Sequence, residues 1–417
     1  MPAPGKNLAL IVRAALIGVA AMTQVAGPVQ AAEAISPCVR FDAATGRYAY
    51  RGSLADWMTC MYPPGSATAR NTRLGSVMMP GSHEAGTSAL FVSEAATFHY
   101  ATRCPSPIDR AAQGIPWITR QWAMSQTQDS SNQAAHGSRW FDLRGVLDNY
   151  VWRSCDGLVV DRWFDIVDGL VAFHAAHPGE VIVLDIAQLL DPITPVSATR
   201  LVEALAPVCS RAVSPAALPD ADGVAGNVTI ATARAAGGFV LQLSDSPRSS
   251  HAFTTMERWL SSHPDNACAG RFWSRRGSLE HVDRRRDANL WINRRAAAAA
   301  ARRMAAWQVA HVADSRGSFQ IARFTWAYAG PQTKEAYQIW LMNHWLVDYN
   351  LRLGPSTRDV ARGLWRTACQ TGLSGNVILL DNITRQRPIR ELVAYNEEPC
   401  PVPPNPPDRA PTQGRQR

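Results

Sequence analysis

The sequence lacks the patterns that mark several common functional classes. It has no Walker loop, no glycine-rich dinucleotide fingerprint and no internal repeat, so those signatures of nucleotide binding and of repeat architectures are excluded. Its 8 cysteines include no C-x-x-C pair, and such widely separated cysteines argue against a zinc cluster. No nucleic-acid-binding motif accompanies the formal charge of +8, and the 14 tryptophans are dispersed, so nucleic acid is not an expected partner.

The sequence also lacks an apolar N-terminal run long enough to span a bilayer. The apolar stretch of residues 14–26 is followed by Gly27-Pro28, whereas about 20 apolar residues are needed to cross a hydrocarbon core of ~30 Å. Together with Lys6, Arg13 and the small residues that follow, this stretch predicts a secretory signal peptide over residues 1–34, with a membrane anchor as the less favoured alternative. We therefore expect a secreted or periplasmic protein.

Export would place the cysteines in an oxidising compartment, so we expect several disulfides. The sequence cannot assign their connectivity. Cys155 lies beside Asp156, and the alternative for this cysteine is a free thiol near a site. The positive charge favours attraction to anionic surfaces, including a peripheral membrane surface, although a solvated basic surface that only aids solubility explains it equally well.

Short β-branched runs alternate with helical patterns along most of the chain, which predicts an α/β fold with a parallel sheet. Strands are predicted at residues 74–78, 140–143, 181–186, 239–243, 318–324 and 375–381. Helices are predicted at residues 164–176 and 334–353. After the signal peptide we expect an N-terminal extension over 35–70, a main domain over 71–397 with inserted surface helices at about 245–315, and a disordered proline-rich tail over 398–417.

Two motifs place chemically useful side chains at a turn and on a strand. A Pro-Gly-Ser-His-Glu-Ala-Gly segment delivers His83 and Glu84 into a glycine-flanked turn. A Ser-Arg-Trp-Phe-Asp-Leu-Arg segment turns Asp142 and Arg144 to the same side, because side chains alternate along a strand. Together the motifs offer a base, two carboxylates and a guanidinium.

The order and spacing of these motifs resemble the X-domain family of phosphatidylinositol-specific phospholipases C. Family members carry a Pro-Gly-(Ser/Thr)-His-(Asp/Glu) turn followed by a Gly-x-Arg-aromatic-Phe-Asp-Leu-Arg strand. Residues 173–185 and 376–381 are similar to two further family segments, so the resemblance extends from Leu74 to about Asn382. It implies a distorted, partly open TIM-like (β/α) barrel whose site lies at the C-terminal ends of the strands.

The resemblance also implies a reaction and roles for individual residues. Family enzymes cleave a phosphodiester by attack of the inositol 2-hydroxyl on phosphorus, releasing diacylglycerol and a cyclic inositol phosphate. By this resemblance His83 is the general base, Arg144 binds the phosphate, and Asp381 orients the imidazole. Glu84 and Asp142 support the first two residues. The alternatives are a buried structural His83, a rim salt bridge for Arg144 and a structural Asp381.

Arg144 bears on the question of a metal. In calcium-dependent relatives a carboxylate occupies this position, whereas metal-independent bacterial members have an arginine there. The planar guanidinium suits phosphate oxygens, so we expect no metal and no other cofactor. The alternative is a calcium site built from acidic residues, namely Glu84, Asp142, Asp156 and Asp185.

Two positions depart from the family pattern. A second family histidine follows the Asp-Leu-Arg strand, and Asp156 stands in its place. An ordinary aspartate has a pKa of about 3.9, so Asp156 can act as general acid only if burial or nearby carboxylates raise its pKa. Where relatives carry a polar or charged residue after the strand that contains Asp185, this chain has Ala187 and then Gln188. The head group of the substrate therefore need not be inositol.

These observations predict a secreted, metal-independent phosphodiesterase of the phosphatidylinositol phospholipase C type, acting on a phospholipid or related phosphodiester. A catalytically impaired barrel that binds phosphorylated head groups or anionic surfaces is the first alternative, and a metal-dependent phosphodiesterase is the second. Trp122 and Trp152 are candidates for insertion at a membrane interface, and the alternative is that they lie in the core, where most tryptophans of a chain this long are expected. His174 and His177 are expected to be surface histidines of a helix.

Overall fold

The structure is a computed structural model that describes residues 37–43, 47–89, 125–156, 158–218, 224–243, 251–274, 279–282, 320–323, 362, 376–380, 383 and 389–398. The chain divides into two units, Met1–Ile35 and Ser36–Arg417, and every described residue belongs to the second. The predicted signal peptide, the predicted helix over 334–353 and residues 399–417 of the predicted tail lie outside the described residues.

The described residues form short strands and helices that alternate along the chain. The strands are β1 (Val39–Asp42), β2 (Arg47–Tyr50), β3 (Met79–Ser82), β4 (Trp140–Asp148), β5 (Val151–Asp156), β6 (Leu158–Arg162), β7 (Ile182–Leu189), β8 (Phe239–Leu243), β9 (Phe272–Ser274), β10 (Leu279–Val282), β11 (Gln320–Arg323) and β12 (Asn376–Leu380). The helices are α1 (Trp57–Met61), α2 (Ala67–Asn71), α3 (Ser130–Ala135), α4 (Trp163–Ala176), α5 (Pro195–Cys209), α6 (Ile230–Ala236), α7 (Ala252–Ser261) and α8 (Ile389–Ala394).

The parallel strands of the main sheet follow a cyclic order. β3 pairs with β4, β4 with β7, β7 with β8 and β8 with β9. β10 pairs with β11 and β11 with β12, and β12 then returns to pair with β3. Neighbouring strands thus follow one another along the chain and the last returns to the first, as in a (β/α) barrel. Within the described residues no pairing joins β9 to β10. The expected α/β class and the distorted, partly open TIM-like barrel are confirmed.

Successive side chains of each strand point alternately into the barrel and towards the surrounding helices. One inward level consists of the register neighbours Leu379, Gly81, Trp140, Val183 and Val240. The residues between them, such as Phe141 and Leu184, belong to a second apolar cluster that includes residues of α4 and α5. The barrel is closely packed at Gly81, where an added Cβ would lie 2.7 Å from Leu379 Cδ2.

The path of β3 differs from the sequence prediction. The strand begins at Met79 and continues through Pro80 and Gly81, whereas the sequence predicted a strand over 74–78 that breaks at this dipeptide. Pairing explains the difference, because Pro80 and Gly81 lie in register with β12 and Gly81 also pairs with β4. Tertiary pairing here overrides the local tendency of proline and glycine to end a strand.

The range predicted as inserted surface helices also differs from the structure. Residues 245–315 contain α7, but they also contain β9 and β10, which belong to the main sheet. These strands have only 3 and 4 residues. Runs this short carry too little alternation to be recognised from sequence.

Two residues expected at the surface are buried. Trp152 has 0% exposure and its indole Nε1 donates a hydrogen bond to the Ser197 carbonyl at 2.9 Å, so its predicted insertion into a membrane is wrong. His174 is 7% exposed and its ring packs against Phe239 with 5.0 Å between centroids. Trp122 lies outside the described residues.

A buried ion pair binds the N-terminal segment, the part of the chain that precedes β3, to the N-terminal end of the barrel strands. Arg139 and Glu180 are fully buried, with 2.6 Å between Nη2 and Oε2. Glu180 accepts hydrogen bonds from the backbone nitrogens of Met58 at 3.1 Å and Thr59 at 2.8 Å, and Arg139 donates to the Leu54 carbonyl at 3.2 Å. Because both members of the pair are satisfied by backbone groups, we assign them a structural role.

Disulfides join Cys38 to Cys60 and Cys209 to Cys268. Cys155 is also disulfide-bonded, so the alternative of a free thiol at this position is wrong. No helix among the described residues has both the length and the apolar character needed to cross a membrane.

Candidate active site

The barrel interior becomes polar one level nearer the C-terminal ends of the strands. Asp142, Asp185 and Gln242 are register neighbours on β4, β7 and β8, and each follows an inward apolar residue by two positions. Their exposures are 0%, 0% and 1%. Sites in (β/α) barrels form at this end of the strands, so this polar level is the candidate site.

His83 lies in the turn directly after β3 and is held at its backbone. Its nitrogen donates a hydrogen bond to the Leu380 carbonyl at the end of β12, at 3.2 Å. The buried Gln126 side chain donates through Nε2 to the carbonyls of both His83 and Leu380, at 2.9 and 2.8 Å, and accepts from the Ile383 nitrogen at 3.1 Å. Gln126 therefore fastens the His83 turn to β12.

Glu84 adopts a left-handed backbone conformation with φ of 46°, which is uncommon for a residue other than glycine. Neighbouring groups hold it there. Thr87 Oγ1 donates to the Glu84 carbonyl at 3.1 Å, and the next nitrogen, that of Ala85, donates to the Asp142 carbonyl at 3.0 Å. Ser125 Oγ donates to Glu84 Oε2 at 2.7 Å, which fixes the carboxylate.

Asp161 on β6 anchors the chain that leaves this turn. Its Oδ2 accepts from the nitrogen and the hydroxyl of Ser88 at 3.1 and 2.9 Å, and its Oδ1 accepts from the Ala89 nitrogen at 3.0 Å. Burial raises the pKa of Asp161, and these hydrogen bonds act in the opposite direction. The His83 turn is thus fixed on both sides.

Arg144 joins the two sequence motifs through its guanidinium. Nη1 donates to Glu84 Oε1 at 2.5 Å, and Nη2 donates to Asp142 Oδ2 at 2.9 Å. Nη2 also lies 3.0 Å from His83 Nε2. The Arg144 side chain is 16% exposed and those of Glu84 and Asp142 are 4% and 0% exposed. Two buried carboxylates therefore orient one cation at the edge of the site.

The same contacts indicate the hydrogen-bonding role of one ring nitrogen of His83. A guanidinium has donors only, so in its contact with Arg144 the Nε2 atom of His83 must be the acceptor. Glu84 Oε1 and Asp142 Oδ2 lie 3.3 and 3.9 Å from the same Nε2. Once Nε2 takes up a proton, these carboxylates would stabilise the imidazolium. The geometry fits an imidazole that receives a proton during a reaction.

A bulge in β7 determines which of its polar side chains lies beside Arg144. The register runs from Leu143 opposite Ile186 to Arg144 opposite Gln188, so Ala187 is the additional residue. Gln188, which is partly exposed, thereby joins the predicted site residues in register. Asp185 lies opposite Asp142, as a neighbour of the His83 and Arg144 cluster.

Of the remaining two predicted residues, Asp156 is described only at its backbone and Asp381 is not among the described residues. The backbone of Asp156 ends β5, and Ser154, two residues earlier, pairs with Gly145 beside Arg144. The side chain of Asp156 and the whole of Asp381 lie outside the described residues.

The residues that hold the turn were not found from the sequence. Gln126 and Ser125 lie outside the two motifs, Thr87 directly follows the first, and no local pattern marks their contacts. For Asp161 the only signal is a polar residue at the end of an apolar run. Their contacts join segments up to 257 residues apart in the chain, as between Gln126 and Ile383.

In the described part of the chain, no group of three or more His, Cys, Asp or Glu side chains is arranged to hold a metal ion. Two of the four carboxylates predicted as calcium ligands, Glu84 and Asp142, instead contact the guanidinium of Arg144. The guanidinium of Arg144 is therefore the positive charge that these two carboxylates contact, in place of the predicted calcium ion.

No protein-family model matches this chain, and no curated protein matches its sequence. Among solved structures, phosphatidylinositol-specific phospholipase C from Listeria monocytogenes is 13% identical with a TM-score of 0.46, over 83% of this chain and 99% of that one. A phosphatidylinositol-specific phospholipase C of S. aureus is 14% identical with a TM-score of 0.47, over 82% and 98%. The fold assignment rests on the strand order, and any functional assignment rests on the side chains of the site.

Proposed function

We propose that this protein is a secreted phosphodiesterase of the phosphatidylinositol phospholipase C type, which cleaves a phospholipid or related phosphodiester at a membrane surface. The contact of Arg144 with Glu84, Asp142 and His83 Nε2 carries the proposal. This contact joins a guanidinium, which suits phosphate oxygens, to the imidazole that would receive the proton of the attacking hydroxyl. The resemblance of the two motifs to the phospholipase family supports the same assignment.

In the proposed reaction, a hydroxyl of the head group attacks phosphorus while its proton passes to His83 Nε2. A new oxygen–phosphorus bond forms and the bond to the leaving alkoxide breaks, giving a cyclic phosphodiester. Arg144 stabilises the charge on the non-bridging oxygens. Glu84 and Asp142 stabilise the imidazolium. The leaving oxygen must gain a proton, and Asp156 is the proposed donor.

We propose that the reaction requires no metal ion. The phosphoryl oxygens need positive charge, and Arg144 provides it with a planar pair of donors that matches two oxygens. Calcium held by Asp156, Asp185 and other carboxylates is the alternative. It predicts that a chelator abolishes turnover, whereas the proposed reaction is unaffected by chelation.

Replacement of His83 tests the proposal. With an inositol phosphodiester that has a nitrophenol leaving group, His83→Ala should lower kcat by about 10² to 10⁴, the usual contribution of a general base. The activated leaving group needs no acid, so the result does not depend on Asp156. His136→Ala, at an exposed histidine that precedes β4, is the matched control and should retain turnover. Equal turnover before and after His83→Ala would reject the proposal.

The aspartate at position 156 favours a second candidate, a catalytically impaired barrel that binds phosphorylated head groups. This candidate predicts saturable binding to anionic liposomes with no product. Asp156→His separates the two candidates when the substrate has an unactivated leaving group. A large gain in cleavage on this substitution would indicate an intact pocket that lacks an efficient acid.

A further inference from the structure

The disulfide of Cys155 lies beside the proposed site but has no part in the reaction described above. Cys155 is disulfide-bonded and 4% exposed. The other four cysteines among the described residues form two disulfides with one another. The partner of Cys155 is therefore one of the three remaining cysteines, which lie outside the described residues, namely Cys104, Cys369 and Cys400. The bond thus ties β5 to a segment that is distant in the sequence.

The position of Cys155 on β5 connects two residues of the proposed reaction. Ser154 pairs with Gly145, the residue after Arg144. Because these strands are antiparallel, Cys155 is the β5 residue that continues this register towards Arg144. The residue after Cys155 is Asp156, the proposed acid. A constraint on Cys155 therefore acts between the phosphate-binding residue and the proton donor.

The other described contacts hold this end of β5 only weakly. The pairing of β5 with β6 is irregular between Arg153 and Cys155. The buried hydroxyl of Ser154 has no hydrogen-bond partner in the described part of the chain. The Cys155 side chain belongs to a small apolar cluster whose other buried members among the described residues are Val146 and Val159, separate from the two large clusters of the barrel. The covalent bond is thus the strongest constraint on this strand end.

We propose that the disulfide of Cys155 is a positioning element of the site, which holds the end of β5 so that Asp156 can deliver a proton to the leaving oxygen. The inference deepens the proposed function and rests on it, because it assumes that Asp156 is the donor. A proton donor must lie within hydrogen-bond reach, and a displacement of about 1 Å can cost about 10²-fold in rate. The disulfide therefore acts on protonation of the leaving group and not on the attack at His83.

Two substrates separate this role from a purely structural one. Cys155→Ser removes the bond, and the double variant C209S/C268S, which removes a disulfide within a large apolar cluster, is the matched control. With phosphatidylinositol, whose leaving alkoxide needs a proton, Cys155→Ser should lower kcat by about tenfold or more. With an inositol nitrophenyl phosphodiester, which needs no acid, kcat should change by less than about twofold. The control should lower the thermal midpoint but treat both substrates as the wild type does. Equal effects of Cys155→Ser on both substrates, or no effect on either, overturn the inference.

Replacement of the acid gives a result that general structural damage would not produce. In an Asp156→Asn background the proton donor is absent, so Cys155→Ser should cause no further loss of kcat with phosphatidylinositol. A further loss of about tenfold in this background would show that the bond acts elsewhere, against the inference. A wild type that cleaves the nitrophenyl substrate but not phosphatidylinositol also overturns it, because there is then no proton donation to position. Failure of the proposed function is seen instead as turnover of the nitrophenyl substrate that is absent, or that His83→Ala leaves unchanged.

Cys155→Val provides a second variant in case Cys155→Ser does not fold, since an apolar side chain of similar size can stay in the cluster with Val146 and Val159. The same selective loss with phosphatidylinositol is expected, and a variant that treats both substrates as the wild type does overturns the inference. Either variant also frees the thiol of the partner. Alkylation with iodoacetamide, followed by mass spectrometry, should label one cysteine per chain and so identify it. No labelled thiol would mean that Cys155 forms no disulfide, which equally overturns the inference.

Discussion

At the scale of single residues, Arg144 has both a structural and a proposed chemical task. Its guanidinium neutralises Glu84 and Asp142, which are 4% and 0% exposed, and its Nη2 atom lies 3.0 Å from His83 Nε2. The two tasks need different properties of the side chain. Neutralisation needs only a positive charge, whereas contact with three groups at once needs the planar fork.

Replacements of Arg144 should separate these two tasks. Arg144→Met removes the guanidinium from two buried carboxylates and should lower the free energy of unfolding by about 3 to 5 kcal/mol, measured by urea denaturation. Arg144→Lys keeps the charge and should retain most of the stability, yet lose about 10²-fold in kcat because an ammonium cannot replace the fork.

The control for these variants is Arg162→Lys, at an exposed ion pair with Asp165, which should change neither quantity. If Arg144→Lys matched the wild type in kcat, the planar fork would have no part in the reaction.

The residues of the proposed reaction could be predicted in part. His83, Glu84, Asp142 and Arg144 lie in two continuous motifs, and the structure brings all four together. The polar level formed by Asp142, Asp185 and Gln242 could not be predicted, because it depends on the register of three strands that are far apart in the chain.

At the scale of elements, the site depends on how the β3 turn is fastened to β12. The fully buried Gln126 side chain bonds to His83 in the turn, to Leu380 at the end of β12 and to Ile383 beyond it. Gln126→Leu should lower the free energy of unfolding by about 2 to 3 kcal/mol, because it leaves buried groups without partners. It should also lower kcat more than it changes KM, since a displaced imidazole misses the attacking hydroxyl.

Gln126→Glu is the companion variant, because it keeps the acceptor for the Ile383 nitrogen but not the two donor bonds. It should recover part of the stability and little of kcat. A loss of stability with kcat unchanged in both variants would limit Gln126 to a purely structural role.

The buried histidine of α4 should make stability depend on pH. Burial, reinforced by the charge of Arg211, lowers the pKa of His174 below 6.5 in the folded protein. The unfolded chain therefore binds this proton more tightly. The contribution of His174 is fully present above about pH 6.5 and is lost as the pH falls from there through the lower folded value.

Urea denaturation between pH 8 and 5 measures this dependence. His174→Gln should remove part of the decrease in unfolding free energy below about pH 6.5, whereas His136→Gln at an exposed position should leave the decrease intact. An unaltered pH dependence in His174→Gln would contradict the assignment.

Prediction of the elements succeeded where the apolar pattern is clear and its ends are well marked. The predicted strand over 239–243 coincides with β8, and the predicted helix over 164–176 lies within α4 (Trp163–Ala176). The predictions were poorer for β3, which contains Pro80 and Gly81. They missed β9 and β10, since the order of such short strands is set by their neighbours in the sheet.

At the scale of the whole molecule, the two ends of the barrel have different tasks. The C-terminal end carries His83 and Arg144. The N-terminal end carries the Arg139–Glu180 pair and the N-terminal segment bound to it. We therefore expect changes at the N-terminal end to alter stability without altering the proposed reaction.

Loss of the Cys38–Cys60 disulfide tests this separation. The bond closes a loop with a sequence separation of 22 residues. The double variant C38S/C60S should lower the free energy of unfolding by about 3 kcal/mol in the chain-entropy model. Its kcat at 25 °C should match the wild type. A large fall in kcat with unchanged stability would show that the N-terminal segment acts on the site.

The architecture could be predicted from the alternation of strands and helices only as far as an α/β fold with a parallel sheet. The same alternation of strands and helices is found in open parallel sheets as well as in barrels. The barrel expectation came from the motif resemblance, and the return of β12 to β3 confirms it, because this pairing joins segments about 300 residues apart in the chain.

The central claim is that this barrel forms a cyclic phosphodiester at His83 without a metal ion. Phosphorus NMR of the purified protein with phosphatidylinositol micelles, with and without a chelator, tests it most directly. The account predicts a cyclic inositol phosphate signal that persists with the chelator and is lost in His83→Ala. A folded wild-type protein that gives no product, or product only without the chelator, would contradict the account.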